Sequence, residues 1–198
     1  MSEPSATGPR TGEDGRARCP WGVSTPDYVE YHDTEWGRAV HGDDALFERI
    51  CLEAFQSGLS WITILRRRET FRAAFRHFVI DEVAAFTDAD RERLLGDPGI
   101  IRNRAKIDAA IANAAAAQQV RTTYDGGLDA LVWSYAPDPA ARPAPRTTAD
   151  VPASTPESLA LSKDLKKRGF RFVGPTTAYA LMQACGLVND HLEGCFAR

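Results

Sequence analysis

The stretch Leu165-Lys-Lys-Arg-Gly-Phe-Arg-Phe-Val-Gly-Pro-Thr-Thr-Ala178 decides the fold. It joins two helical patterns across a short link. Gly169 ends the first helix. Gly174 precedes the second, with Pro175 in the first turn, where its missing N–H is no loss. A tight link that ends at a helix N-terminus presents free backbone N–H groups, and the helix dipole favours an anion there. Lys163, Lys166, Lys167, Arg168 and Arg171 add positive charge. This is the form of a helix-hairpin-helix element. It would hold a DNA phosphate through Lys166, Arg168, Gly169, Arg171, Gly174 and Thr176. An ordinary αα-hairpin with a solvated basic face carries the same signature.

Outward from this link the chain reads almost entirely as helix. Asp43 is a suitable N-cap for a helix bearing Leu46, Phe47, Ile50, Cys51, Ala54 and Phe55 at 3.6-residue spacing. Further helices are expected at Trp61–Leu65, Thr70–Phe75 and Ala89–Leu95, the last capped by Thr87 or Asp88. A long one follows over Arg102–Thr122, rich in alanine, the best helix former. Leu128–Tyr135, Ser158–Arg168 and Thr176–Cys185 complete the set. Ser154-Thr-Pro-Glu157 reads as a capping box opening the second of these three. No stretch alternates with period two for long enough to make a strand. The fold class is all-α.

The chain has 198 residues, of which 43% are hydrophobic and 26% charged, so it can bury a core and is neither fibrous nor wholly disordered. No apolar run approaches the ~20 residues that span a bilayer, and the N-terminus lacks the apolar segment of a secretory signal. A cytoplasmic protein is expected. Residues 1–18 hold no Val, Leu, Ile or aromatic side chain and are expected to be a disordered tail. Residues 19–198 are expected to fold as a single domain. Within it, 136–156 carries six of the twelve prolines and reads as a long surface connection. The net charge of −3 gives no bulk attraction to nucleic acid, so DNA binding must rest on local basic groups. The clusters Arg66–Arg68 and Arg102, Arg104 and Lys106 are candidates to extend the phosphate-tracking surface.

Four cysteines and four histidines are present. Cys51 and Cys185 fall in apolar stretches and read as small buried hydrophobes. Cys19 and His32 stand at the start of the folded region. His191 and Cys195 stand at its end, and on a helix residues four apart face the same way. Two thiolates and two imidazoles suit a closed, structural zinc site that staples the two ends together. Unrelated polar residues at each end fit the spacing equally well.

Glu53 lies at the edge of the apolar stripe of its helix, near Leu46 and Ser57 on the helical wheel. Gly58 breaks the helix just beyond, and Trp61 follows. Tyr28, Tyr31 and Trp36 are concentrated upstream. Aromatic faces around one carboxylate suit a flat cationic ring. A surface glutamate beside ordinary core aromatics is the commoner arrangement.

Several motifs together carry a resemblance. Arg-Cys-Pro-Trp (18–21), Tyr-His-Asp-Thr-Glu-Trp-Gly (31–37), Ile-Cys-Leu-Glu-Ala-Phe-Gln-Ser-Gly-Leu-Ser-Trp (50–61), Gly-Ile-Ile-Arg-Asn-Arg-Ala-Lys-Ile (99–107), Lys-Lys-Arg-Gly-Phe-Arg-Phe-Val-Gly-Pro-Thr (166–176) and Met-Gln-Ala-Cys-Gly-Leu-Val-Asn-Asp-His (182–191) resemble the 3-methyladenine DNA glycosylase I family. The likeness covers Cys19 to Cys195. It implies a base-excision repair enzyme of the helix-hairpin-helix superfamily, acting as a monomer on alkylated double-stranded DNA and releasing free 3-methyladenine. It implies that Cys19, His32, His191 and Cys195 hold zinc, that Glu53 recognises the base and that Tyr31 and Trp61 stack on it, with Tyr28 and Trp36 completing the wall. Many superfamily members carry a catalytic Asp after the hairpin. Asn189 aligns with it, with Asp190 the alternative. A non-catalytic zinc-stapled damage-binding module is the main rival. A zinc hydrolase using Cys19 and His32 is a second, weakened by the four-ligand set.

Overall fold

A computed structural model describes residues 7–198. Ten helices occur among them: α1 Pro26–Thr34, α2 Asp43–Gln56, α3 Trp61–Leu65, α4 Arg68–Ala74, α5 Ile80–Ala84, α6 Asp88–Gly96, α7 Arg104–Thr123, α8 Gly127–Trp133, α9 Pro156–Lys167 and α10 Pro175–Ala184. The all-α reading holds. The sole sheet among the described residues is an antiparallel ribbon of β1 (Arg10–Thr11) and β2 (Ala17–Arg18).

That ribbon corrects part of the expected 1–18 tail. Residues 1–6 lie outside the described residues. Residues 7–18 are ordered without an apolar core of their own. Arg18 is buried and ion-paired with Asp14 at 2.6 Å and Asp33 at 2.7 Å. Its guanidinium also sits over the Phe196 ring. Charge-assisted hydrogen bonds supply the order that composition argued against.

α2 is the central helix. Leu46, Phe47, Ile50, Cys51, Leu52, Glu53, Ala54 and Phe55 are all buried, because α2 packs against α7, α8 and α10. Phe55, Phe71, Phe75 and Phe78 stack beside it. Truncating one such ring costs about 3–5 kcal/mol. The alanines of α7 are mostly buried, so neighbouring helices approach it closely.

Two caps differ from expectation. α2 begins after Gly42, and Asp43 instead accepts from the Asp129 amide of α8 at 2.9 Å. α9 is capped by Thr155 with Ser158 as its reciprocal partner, one residue later than the Ser154–Glu157 box.

α9 and α10 form the expected helical hairpin and pack on one another. Gly169, at φ +96°, occupies a left-handed position that a side chain would strain. Phe170 and Val173 plug the link into the core. Lys106 does not join a basic surface. Its side chain is buried and donates to the carbonyls of Phe55 at 2.9 Å and Ser57 at 2.6 Å, closing the C-terminal end of α2. Arg66 and Arg104 are ion-paired with Asp27 and Glu92, and Arg68 with Glu35.

Candidate active site and metal centre

A cavity of about 410 Å³ opens beside α2, within the usual ligand-site range. Its walls come from α1, α2, α3, α10 and the segments at both ends of the chain. Thr25 caps α1 by accepting from the Tyr28 amide. Tyr28 and Tyr31 then project from neighbouring positions three apart. The Tyr28 hydroxyl accepts from the Ile62 amide at 3.0 Å, which satisfies a first-turn donor of α3 and sets that helix in place. Trp61, at the start of α3, lies 5.6 Å from the Tyr31 ring, centroid to centroid. Trp36 completes the aromatic wall. Trp21 bridges it, edge-on to Tyr28 and Trp36.

Glu53 lines this cavity from the last turn of α2. It is 5% exposed, deeper than its place at the stripe edge suggested, because α10 covers that side. Burial pushes its carboxyl up to about 8, and Arg49 opposes the shift. Among the described residues it accepts no hydrogen bond from any side chain or amide. The Trp61 indole N–H is also buried without an acceptor. Burial holds the Tyr31 phenol well above its usual range, so it is a neutral hydroxyl. Unpaired buried polar groups are uncommon in a folded interior. Glu53, Tyr31 and Trp61 line one cavity, a set suited to a polar, flat ligand.

Sequence reasoning missed part of this wall. Trp21 lies on the wall beyond the expected aromatic set. Its nearness to Cys19 was the available signal. Gln56 and Gln183 carried none. The proline-rich connection supplies Thr148 and Val151 to the cavity. No periodicity could reveal that, since the segment has no regular structure to orient a side chain. Of the two residues weighed for the superfamily's Asp, Asp190 lies on the cavity wall, buried. Asn189 is exposed and accepts from the His191 amide.

Cys19, His32, His191 and Cys195 come together with their ligand atoms within 4.8 Å of one another. The Sγ···N separations are 3.7 Å (Cys19–His191), 3.4 Å (Cys195–His32) and 3.6 Å (Cys195–His191). A tetrahedral ion with thiolate and imidazole ligands has an S···N edge of about 3.6 Å. The quartet therefore fits a four-coordinate metal. The imidazoles are oriented for it. His32 Nδ1 pairs with Asp33 at 2.9 Å and His191 Nε2 with the Trp36 carbonyl at 3.1 Å, leaving Nε2 and Nδ1 to face the sulfurs. Burial pushes His191 down to about 4 and the Cys19 thiol up to about 12. The neutral imidazole is ready to ligate, while each thiol must lose a proton on metal binding. Gly22 is required here: a Cβ would lie 2.7 Å from the His32 ring. His191 and Cys195 are not on a helix, contrary to the spacing argument. A turn from Leu192 to Cys195 brings them together.

The hairpin presents Lys166, Arg171 and Thr176 to solvent. Arg168 is held internally by Asp164 at 3.0 Å and by the Tyr124 ring. Gly174 precedes α10 without a side-chain cap, and a Cβ there would meet nothing within 4 Å. The first amides of α10 are thus open, and no internal contact demands a glycine.

A family model described as methyladenine glycosylase matches residues 21–198. DNA-3-methyladenine glycosylase 1 of Escherichia coli (strain K12) is 50% identical over 178 residues, covering 90% of this chain and 95% of its own. A crystal structure of 3-methyladenine DNA glycosylase I superposes with a TM-score of 0.85 at 47% identity, covering 91% of this chain and 99% of the other. A second, of a Tyr-to-Phe variant in complex with 3-methyladenine, superposes at 0.83 with 33% identity over 91% of this chain and 96% of its own.

Proposed function

The chain belongs to the methyladenine glycosylase family, and from that premise we propose that it hydrolyses the N-glycosidic bond of 3-methyladenine in alkylated double-stranded DNA. The observation that carries the reading is Glu53, buried and unpaired in an aromatic cavity. The protein acts as a cytoplasmic monomer, with the 7–18 ribbon packed onto the domain through Arg18.

The lesion must leave the duplex to reach Glu53, at a cost of a few kcal/mol in unstacking and unpairing. The hairpin holds the flanking backbone. Its open amides after Gly174, with Lys166, Gly169, Arg171 and Thr176, face a phosphate. Arg168 shapes the link through Asp164. A glycine that no internal contact requires suits a backbone that approaches so closely.

Methylation at N3 gives the base a formal positive charge. Tyr31 and Trp61 pack against the ring from one wall, and Tyr28 and Trp36 close the pocket. Glu53 accepts from the exocyclic amino group. With its carboxyl near 8, ionising it at pH 7 costs about 1.4 kcal/mol. A unit positive charge ~4 Å away returns about 4 kcal/mol at an effective dielectric of 20. The cationic lesion therefore turns Glu53 into a carboxylate, and neutral adenine does not. The bond to C1′ breaks with its electron pair going to the base. 3-Methyladenine departs neutral and needs no general acid. Water adds to C1′ and its proton passes to solvent.

Cys19, His32, His191 and Cys195 hold a zinc ion that fastens the N-terminal segment to the C-terminal turn. Held by these four side chains, it would play a structural rather than a reactive role.

The test is release of free base from methylated duplex DNA by the purified protein. Release of 3-methyladenine without 7-methylguanine is the expected result. DNA binding without release would instead assign a non-catalytic damage-binding module.

A further inference from the structure

Asp190, on the cavity wall, is saturated with donors. Arg142 Nη2 donates to Oδ1 at 2.9 Å. The Tyr179 hydroxyl and Gln183 Nε2 donate to Oδ2, the latter at 2.9 Å. Arg142 comes from the proline-rich connection and also donates to the Tyr179 hydroxyl at 2.8 Å. A carboxylate ion-paired with arginine only accepts. The Gln183 amide must therefore turn its nitrogen toward Asp190, and its carbonyl oxygen faces the other way. Gln183 is half-buried on the cavity wall. Among the described residues its Oε1 receives no donor.

We propose that Gln183 is a specificity-determining residue of the base pocket. Its carbonyl, fixed by Asp190, accepts a hydrogen bond from the exocyclic amino group of the flipped base and disfavours bases with a carbonyl there. The proposal rests on the reading of this cavity as the 3-methyladenine site. An amino group has two protons, one for Glu53 and one for Gln183. A guanine-type base brings an oxygen instead, and the Gln183 carbonyl then faces it with no proton between the two. A pocket built around a hydrogen bond rejects the analogue that lacks it more strongly than a greasy pocket rejects a change of shape. Asp190 acts through Gln183 and is a positioning residue.

The experiment uses methylated duplex DNA carrying both 3-methyladenine and 3-methylguanine. Single-turnover release of each base is followed by chromatography. Gln183→Met keeps the length of the side chain without the acceptor, and Gln183→Ala is the second variant. Each should lower the ratio of the two release constants on the order of tenfold, with the melting temperature held. Asp190→Asn frees the amide to turn and should lower the ratio too. Combined with Gln183→Met it should lower it no further than Gln183→Met alone, since the two act through one contact. An unchanged ratio in both Gln183 variants, or additive losses in the double variant, overturns the proposal. If the wild-type protein releases neither base, the underlying reading falls with it. If the wild type releases 3-methyladenine and the variants keep its ratio, this inference alone falls.

Discussion

Asn113, buried in the middle of α7, accepts from the Arg171 amide at 2.7 Å and donates to the Arg171 carbonyl at 3.2 Å. One side chain thus satisfies both backbone groups at the turn of the hairpin and sets its distance from the core. Asn113→Ala leaves both groups without their partner. It should cost about 2 kcal/mol of unfolding free energy and weaken DNA binding as the link loosens. Asn113→Asp should be worse, because a carboxylate would face the carbonyl. Denaturant unfolding and DNA titration of the two variants check this order.

Lys106→Met separates a structural lysine from a phosphate-binding one. The ammonium closes α2 through two carbonyls at the negative end of the helix dipole. Its removal should lower stability by roughly 2 kcal/mol. The salt dependence of DNA binding should stay unchanged, whereas Lys166→Gln or Arg171→Gln should reduce that slope by about one unit each.

These two side chains also mark where the sequence stopped being legible. Helical periodicity located most of the elements, because apolar spacing and caps are local properties. Residue type and spacing left Glu53, the aromatic residues and the Cys/His quartet open to an ordinary structural reading, and only the resemblance of the longer motifs singled them out. Arg102, Arg104 and Lys106 alternate along the chain and cannot be told apart by residue type. Only the packing of α7 against α2 shows that one of them is buried. The order in residues 7–18 rests on Arg18, whose partners at Asp14 and Asp33 no apolar pattern can reveal. The share of 136–156 in the pocket wall, through Arg142, Thr148 and Val151, depends on long-range contacts alone.

Glu53 imposes a stability cost that changes with pH. Its folded-state pKa, about 8, lies above the unfolded value of 4.5. The folded protein binds the extra proton, so stability is full below about 4.5 and falls as pH rises through about 8. Glu53→Gln removes that dependence. The variant should melt higher than the wild type at pH 8, and the difference should shrink toward pH 4. Melting curves across this range give the sign directly.

Metal removal tests the staple. Elemental analysis should find one zinc per chain. Chelation, or Cys19→Ser, should lower the melting temperature because binding energy at such a site is folding energy. Base release, assayed at a temperature where the metal-free protein stays folded, should persist. Loss of activity in a fully folded metal-free protein would contradict a purely structural ion.

In the proposed mechanism Glu53 reads the charge of the flipped base. The most direct measurement is the single-turnover rate of 3-methyladenine release from methylated duplex DNA, for wild type and Glu53→Gln, with DNA affinity measured alongside. The wild type should release the base, and the variant should do so at a rate at least about tenfold lower, with unchanged affinity for undamaged DNA. Equal rates, or a variant that loses DNA affinity together with release, would contradict this role of Glu53.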